Sequence, residues 1–489
     1  MPPSNLPQVS CPHSKITYTA SPHAPQIGYA QPSLKERQDA MRPSPSSKFT
    51  LKISSKQLKS DLEAFPAPLV LPDDDLALDP EYPAQSFQEW YDEEERNPVT
   101  ARRRTVYVVS PPAVESGIGG VDAVDVEGWM RPRKTDSQSM LAFPETQHAI
   151  DYLSAFYHGL PVKRLDLRNW KFTSWDEPAP KRTAKSNGKK TRNPHKNRSI
   201  GLATETECIR IRTRPCADGV YMQQLNLDDL LDAAISILPK DAYALCMLVH
   251  HDLFEDEDDT FVCGRAYGGS RVAVVSTARY NPLLDGVQGV ERGHAWPAAH
   301  CARYVEESCR VAGSASKRRN KGYSSTQSLS AKKDEVESNG PLEAALAAYI
   351  NSGIIPQTSQ SESETTLWLW RISRTVSHEL GHCFGVDHCV NYACIMQGSA
   401  SLSEDTRQPP YLCPVDLAKV LAATGASTDE RDRALLGFCE KEEWRDEPAF
   451  RAFAAWLRGS LDIQGSGSGD GEESEERRPP SLGWEFKLG

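Results

Sequence analysis

The sequence predicts an α/β fold, and three of its features carry that expectation. Strand-like and helix-like segments alternate between residues 102 and 280. One of the strand candidates is apolar almost throughout. An amphipathic helix late in the chain carries paired histidines. Alternation of this kind builds a layer of helices on a sheet. RRTVYVVSPP (102–111) is a β-branched, aromatic run closed by Pro-Pro, a first strand. FPETQHAIDYLSAFYHGL (143–160) sets Ile150, Leu153, Phe156 and Tyr157 at helical spacing, with Gly159 as the stop. TECIRIRT (206–213) alternates as a strand, and LNLDDLLDAAISILP (225–239) reads as a helix begun near Asn226 and ended by Pro239. AYALCMLVHHDLF (242–254) has the continuous apolar character of a strand buried on both faces. FVCGRAYG and RVAVVSTARY add two short strands. After the Cys segment behind the paired histidines, DLAKVLAATG, DERDRALLGFCE and EPAFRAFAAWLRGSL predict a mostly helical C-terminal subdomain.

The chain has 489 residues, of which 39 % are apolar, with 35 Pro and 31 Gly. That apolar share is low for a wholly globular chain, so a folded body diluted by disordered stretches is expected. The expected organisation is a disordered N-terminal region over 1–60, a folded body over 61–463, and a disordered acidic tail over 464–489. Low-complexity inserts are expected near 174–201, 313–340 and 357–364. No run approaches the roughly 18–20 apolar residues of a membrane span, which excludes an integral membrane protein. The first thirty residues lack a positive start followed by an apolar stretch, so the cytoplasm or nucleus is the expected location. A formal charge of −11 argues against nucleic acid as a partner of the whole protein. The eight basic residues between Lys181 and Arg198 read as part of a solvated spacer. Twelve Cys without a visible signal imply reduced thiols or metal ligands, not a disulfide framework.

TLWLWRISRTVSHELGHCFGVDHCVNYACIMQGSA (366–400) carries the chemistry. Leu369, Ile372, Val376, Leu380 and Cys383 recur every three or four residues, so the segment begins as an amphipathic helix. His378 and His382 are four apart and project from one face, where two imidazoles can hold one Zn²⁺ at about 2.0–2.1 Å. Glu379 is offset enough to address water at that metal without displacing it. Gly385 can take the positive φ that ends a helix and reverses the chain, returning His388 as a third ligand. Three protein ligands leave the open position of a catalytic site. Met396 follows at a distance suited to a turn forming an apolar floor under the imidazoles.

HELGHCFGVDHCVNYACIMQGS, with CPVD further on, resembles the archaemetzincins, a zinc metallopeptidase family whose pattern is HExxHxxGxxHC, four residues, C-x-M, then CxxC. The resemblance extends upstream through FPAP…YPAQSFQEW, FYHGLPV and FVCGRAY…VSTARYNP. It implies a metzincin-like catalytic domain: a mixed twisted sheet, a zinc-binding active-site helix and a Met-turn at Met396. It also implies a catalytic zinc on His378, His382 and His388, Glu379 as the acid/base, and hydrolysis of peptide bonds in a peptide or protein substrate. A second, structural zinc is implied on Cys389, Cys394 and Cys413. Asp416 stands where the pattern has its fourth Cys, and Cys439 is the alternative fourth ligand. VAVVSTARY (272–280) is the expected neighbour of the substrate cleft. A non-catalytic zinc-binding interaction module is the alternative reading, which an intact Glu379 disfavours.

Other polar residues read as structural. His250 and His251 precede Asp252 and the acidic run 255–259, read as a solvated turn. His294 and His300 stand beside Cys301 without a completing ligand set, and read as a loop. Cys208, Cys216, Cys246 and Cys263 are expected to be small core residues, and Cys383 to be packed.

Overall fold

The computed structural model describes residues 11, 13, 15–43, 65–115, 125–135, 140–175, 199–319, 340–351 and 360–466. Its strands, in chain order, are β1 (Thr105–Val109), β2 (Ala113–Val114), β3 (Val162–Arg164), β4 (Lys171–Thr173), β5 (Ser199–Ala203), β6 (Cys208–Pro215), β7 (Gln223–Asn226), β8 (Ala242–Val249), β9 (Asp252–Phe254), β10 (Gly264–Tyr267) and β11 (Val272–Ser276). They form two mixed sheets. One has the order β10-β11-β8-β1-β3, parallel except for the antiparallel edge strand β10. The other has the order β2-β4-β5-β6-β7-β9.

The first sheet is covered on both faces, which is why its strands read as apolar runs rather than alternating ones. All eight positions of β8 are buried. Side chains still alternate between faces. Val106, Val108, Ala244, Cys246, Leu248, Ala273 and Val275 join a core with Ile372, Val376, Leu380 and Cys383 of the histidine helix, Gln360–Cys383. Val109, Leu245, Met247, Val249, Val272 and Val274 join a second core with Leu227, Leu230, Leu231 and Ala234, and with Ile200, Leu202 and Ile211 of the other sheet. Each aliphatic side chain so removed from water contributes about 1.5–3 kcal/mol. The histidine helix is thereby seated against β8, β11 and β10.

Helix Leu227–Ser236 is capped by Asn226, whose side chain accepts from Asp229 N, as its sequence predicts. The C-terminal helices lie where their periodicity puts them: Pro414–Thr424, Thr428–Cys439 and Pro448–Ser466.

Two expectations are corrected. AYALCMLVHHDLF is not one strand, because His250 and His251 break it into β8 and β9, which belong to different sheets. Both rings point to interior partners: His250 Nδ1 lies 2.9 Å from Thr277 Oγ1, and His251 Nε2 donates to Val126 O at 3.0 Å. The N-terminal region is not disordered throughout, since residues 15–43 run as an arm over the body. The arm lacks a hydrophobic period of its own but docks by single anchors. Met41 is buried in the main core, Tyr29 donates to Val390 O at 2.8 Å, and Gln31 Nε2 donates to Asn391 O at 2.8 Å. A full capping box at Ser33 and Glu36 starts its helix, Leu34–Ala40.

Most of the expected inserts and tail lie outside the described residues. Helix Ala302–Arg319 runs into the second of these inserts, and the histidine helix starts within the third. Among the described residues no helix is long and apolar enough to cross a membrane.

Candidate metal centre and cleft

Near its C-terminal end the histidine helix presents His378 and His382 on one face, one turn apart. Their Nε2 atoms are 3.0 Å apart. His378 Nδ1 donates to Ile395 O, and His382 Nδ1 to Val386 O, each at 2.7 Å. These bonds fix both tautomers, so each neutral ring turns an unprotonated Nε2 toward the other. Burial first, and the neighbouring imidazoles next, push His378 well below its ordinary pKa and His382 down to about 4. Two lone pairs at that separation repel each other unless a cation lies between them, and this donor set fits a metal.

The third imidazole comes from the chain reversal. Gly385, with φ +78°, closes a Schellman cap: Val386 N donates to Gly381 O at 3.1 Å and Gly385 N to His382 O at 2.9 Å. His388 then returns, and one ligand atom from each of His378, His382 and His388 lies within 4.8 Å of the other two. Met396 is fully buried beneath them. A Cβ placed on Gly381, the residue before His382, would come within 2.5 Å of the Met396 sulfur. The helix needs glycine there to let the thioether in.

Glu379 is 8 % exposed, and its carboxylate packs against β10. A Cβ on Gly264 would stand 3.3 Å from Glu379 Oε1. Burial pushes the carboxyl up to about 8, opposed by Arg265. A cleft of about 1150 Å³ opens over His378, Glu379 and His388. β10 and the segment before it contribute Thr260, Phe261, Cys263 and Gly264, and the far wall includes Arg279, Tyr280, Arg374 and Asp405. The cleft neighbour expected from the sequence is thus partly displaced. β11 is an interior strand, β10 is the edge, and only Arg279 and Tyr280 of the 272–280 segment line the cleft.

Cys389, Cys394, Cys413 and Asp416 form a second cluster, fully buried, with ligand atoms within 4.8 Å of one another. Cys389 Sγ and Cys413 Sγ are 3.5 Å apart, and Asp416 Oδ2 is 3.4 Å from both Cys394 Sγ and Cys413 Sγ. Cys394 Sγ accepts from the backbone amides of Cys413, at 3.2 Å, and Met396, at 3.5 Å. Cys413 caps the helix Pro414–Thr424, and burial pushes its thiol well above the usual range. Burial opposes charge on Cys389, but hydrogen bonds from Cys394, Cys413 and Asp416 draw it well below the usual thiol range. Asp416 Oδ1 accepts from the buried Lys419 ammonium at 2.9 Å. Three soft sulfurs and one carboxylate oxygen suit zinc. Cys439 does not join this cluster.

Of the cysteines expected to pack in the core, Cys216, Cys246 and Cys383 are buried, whereas Cys208 is exposed and Cys263 is half-buried on the cleft wall. Sequence reasoning missed the network under the cleft. Arg279 Nε and Nη2 donate to Asp252 at 2.8 and 2.6 Å, and Nη1 donates to Asp218 at 2.7 Å. The only available signal was Asp252 directly after a strand, which the acidic run behind it masked.

Residues 354–420 match the model of peptidase family M54. Archaemetzincin-2 of Pongo abelii is 46 % identical over 78 residues, 16 % of this chain and 22 % of that protein. Archaemetzincin of Pyrobaculum aerophilum is 41 % identical over 54 residues, 10 % of this chain and 35 % of that one. The matched stretch thus spans about a fifth of the length of the first of these relatives. A crystal structure of archaemetzincin from Methanopyrus kandleri aligns over 66 % of this chain and 96 % of its own, at 15 % identity and a TM-score of 0.27. The segment that supplies every residue of both clusters, 354–420, is thus the part that matches peptidase family M54 and is similar to archaemetzincins.

Proposed function

We propose that the protein is a zinc-dependent metallopeptidase. The observation that carries this reading is the convergence of three imidazoles in one cleft beside a buried carboxylate, with two of their tautomers fixed by backbone carbonyls. His378, His382 and His388 would hold the catalytic ion. Cys389, Cys394 and Cys413, with Asp416 as the fourth donor, would hold a structural one. Zinc bound by the histidines would supply Lewis acidity toward a peptide carbonyl and lower the pKa of water toward about 7.

The chain's own residues do the rest. Glu379 takes a proton from the attacking water and delivers it to the departing amine. Its place beside the three imidazoles on the cleft wall suits that double duty. Gly264 leaves room for this carboxylate beside the edge strand. Substrate would lie along β10, whose outer edge has no strand partner among the described residues. The histidine helix then acts as the active-site helix under that edge, and Met396 as the Met-turn beneath the imidazoles.

The test is Glu379→Gln, assayed with a mixed peptide library alongside zinc analysis. The expected result is unchanged zinc content with hydrolysis down by about 10²–10⁴-fold. Full activity in this variant overturns the acid/base role. Zinc bound by the wild type with no peptide cleaved favours a non-catalytic interaction module instead.

A further inference from the structure

A third set of metal-binding side chains lies away from both clusters. Cys11, His13 and Cys301 each bring one ligand atom to within 4.8 Å of the others. Main-chain bonds hold this approach. Ala302 N donates to Lys15 O at 2.9 Å and Thr17 N to His300 O at 2.8 Å, with Ile16 bridged antiparallel to Cys301. The start of the arm is thus laid along residues 300–302. Cys301 is buried with Leu69, Leu71, Ala298 and Tyr304, and Cys11 packs at the margin of the same group.

A backbone carbonyl also fixes the tautomer of His13, through the other ring nitrogen from that used in the histidine helix. His13 Nε2 donates to Gly293 O at 3.1 Å, which leaves Nδ1 as the lone pair available to a cation. His13 takes a left-handed φ of 50°, a conformation uncommon outside glycine. Its ring packs 5.1 Å from that of His294. His294 Nδ1 is paired with Glu291 at 2.8 Å, while its Nε2 is buried without a partner among the described residues. The sequence around His294, His300 and Cys301 lacks a ligand set only because the missing donors lie nearly three hundred residues earlier, in Cys-x-His at 11–13.

We propose that Cys11, His13 and Cys301 form a third zinc site, which fastens the N-terminal arm to the body of the protein. Two thiolates and an imidazole are a soft donor set that selects Zn²⁺ over Mg²⁺ or Ca²⁺. Cys11 and His13 are only half-buried, so water can complete the coordination from outside. Binding releases the two thiol protons, so occupancy falls with acid. The far end of the arm touches Val390 and Asn391, and Arg37 lies 4.5 Å over the Tyr392 ring. A clamp at residue 301 therefore steadies a brace on the loop between Cys389 and Cys394.

The experiment measures zinc per chain in full-length wild type, Cys11→Ser and His13→Ala. The proteins are purified in reductant and equilibrated with Zn²⁺ alone, and free thiols are counted in parallel on unreduced protein. Each variant is expected to hold one zinc fewer than wild type, a difference in which the ions of the other two clusters cancel. Equal zinc in all three proteins overturns the proposal. Ten free thiols in unreduced wild type against eleven in Cys11→Ser, with zinc unchanged, assign a Cys11–Cys301 disulfide and overturn it as well. His13→Ala keeps both thiols, so its loss of zinc cannot come from a broken disulfide.

Discussion

Gly381→Ala probes whether the helix and the Met396 turn fit together as described. An added Cβ meets Met396 Sδ at 2.5 Å and Cε at 2.8 Å, both well inside van der Waals contact. Overpacking of this kind costs about 1–3 kcal/mol, because the thioether is fully buried and must move into neighbouring side chains. Against that, replacing a helix-interior glycine by alanine gains about 1 kcal/mol of propensity. The net expectation is a loss of about 0–2 kcal/mol, which alone is weakly diagnostic. The double-mutant cycle is sharper. In a Met396→Ala background the clash is gone, so Gly381→Ala should stabilise by about 1 kcal/mol and change sign between backgrounds. Urea midpoints of the four proteins give the coupling, expected at about 1–3 kcal/mol. Equal stabilisation in both backgrounds would refute the reasoning, since the sulfur would then not abut the helix where the histidines emerge.

Lys419→Met removes the buried ammonium that donates to Asp416 Oδ1 and to Gln85, and loss of such a charge-assisted bond costs about 1.5–3 kcal/mol. The expected result is a lower Tm together with weaker retention of the zinc at the cysteines, read by a chelator challenge. Arg279→Met strands the fully buried Asp252 carboxylate and should cost about 3–5 kcal/mol in denaturant unfolding. Stability should also fall with acid through three buried histidines. Burial pushes His250 down to about 3 and His251 and His300 down to about 4. The unfolded chain takes up these protons near pH 6.5 while the folded chain resists them, so stability is full above about 6.5 and drains as pH falls toward 4. Urea midpoints across that window check the slope, and His251→Asn should flatten it.

Local pattern made most of the site legible. The histidine spacing, Gly385 as the reversal and the Cys-x-Met pair all lie within one short segment whose geometry is set by helix period and one cap. The long-range parts were not legible. The pairing of Arg279 with Asp252 and Asp218, the seating of Glu379 on Gly264 and the docking of the arm depend on side chains far apart in sequence. The split of residues 242–254 was hidden for a related reason. A half-buried His250 on Thr277 and a buried His251 on Val126 look, in a one-dimensional pattern, like the exposed end of a strand. Asp416 was visible as a departure from the family pattern. Lys419, which makes that departure electrostatically tolerable, stands in an ordinary helical run and gives no sign of itself.

His388 and Cys389 are consecutive residues assigned to different clusters. One peptide unit, about 3.8 Å from Cα to Cα, therefore joins the imidazole set to the thiol set. Cys389 N also donates to Met396 O at 2.7 Å, which ties the same link to the floor of the histidine site. Under the proposed function, an oxidant that attacks the sulfurs would therefore disturb the histidine cluster without touching a histidine. Peptide hydrolysis, if the proposed function holds, becomes an indirect gauge of thiol state, and a preparation made without reductant would lose it with every imidazole intact.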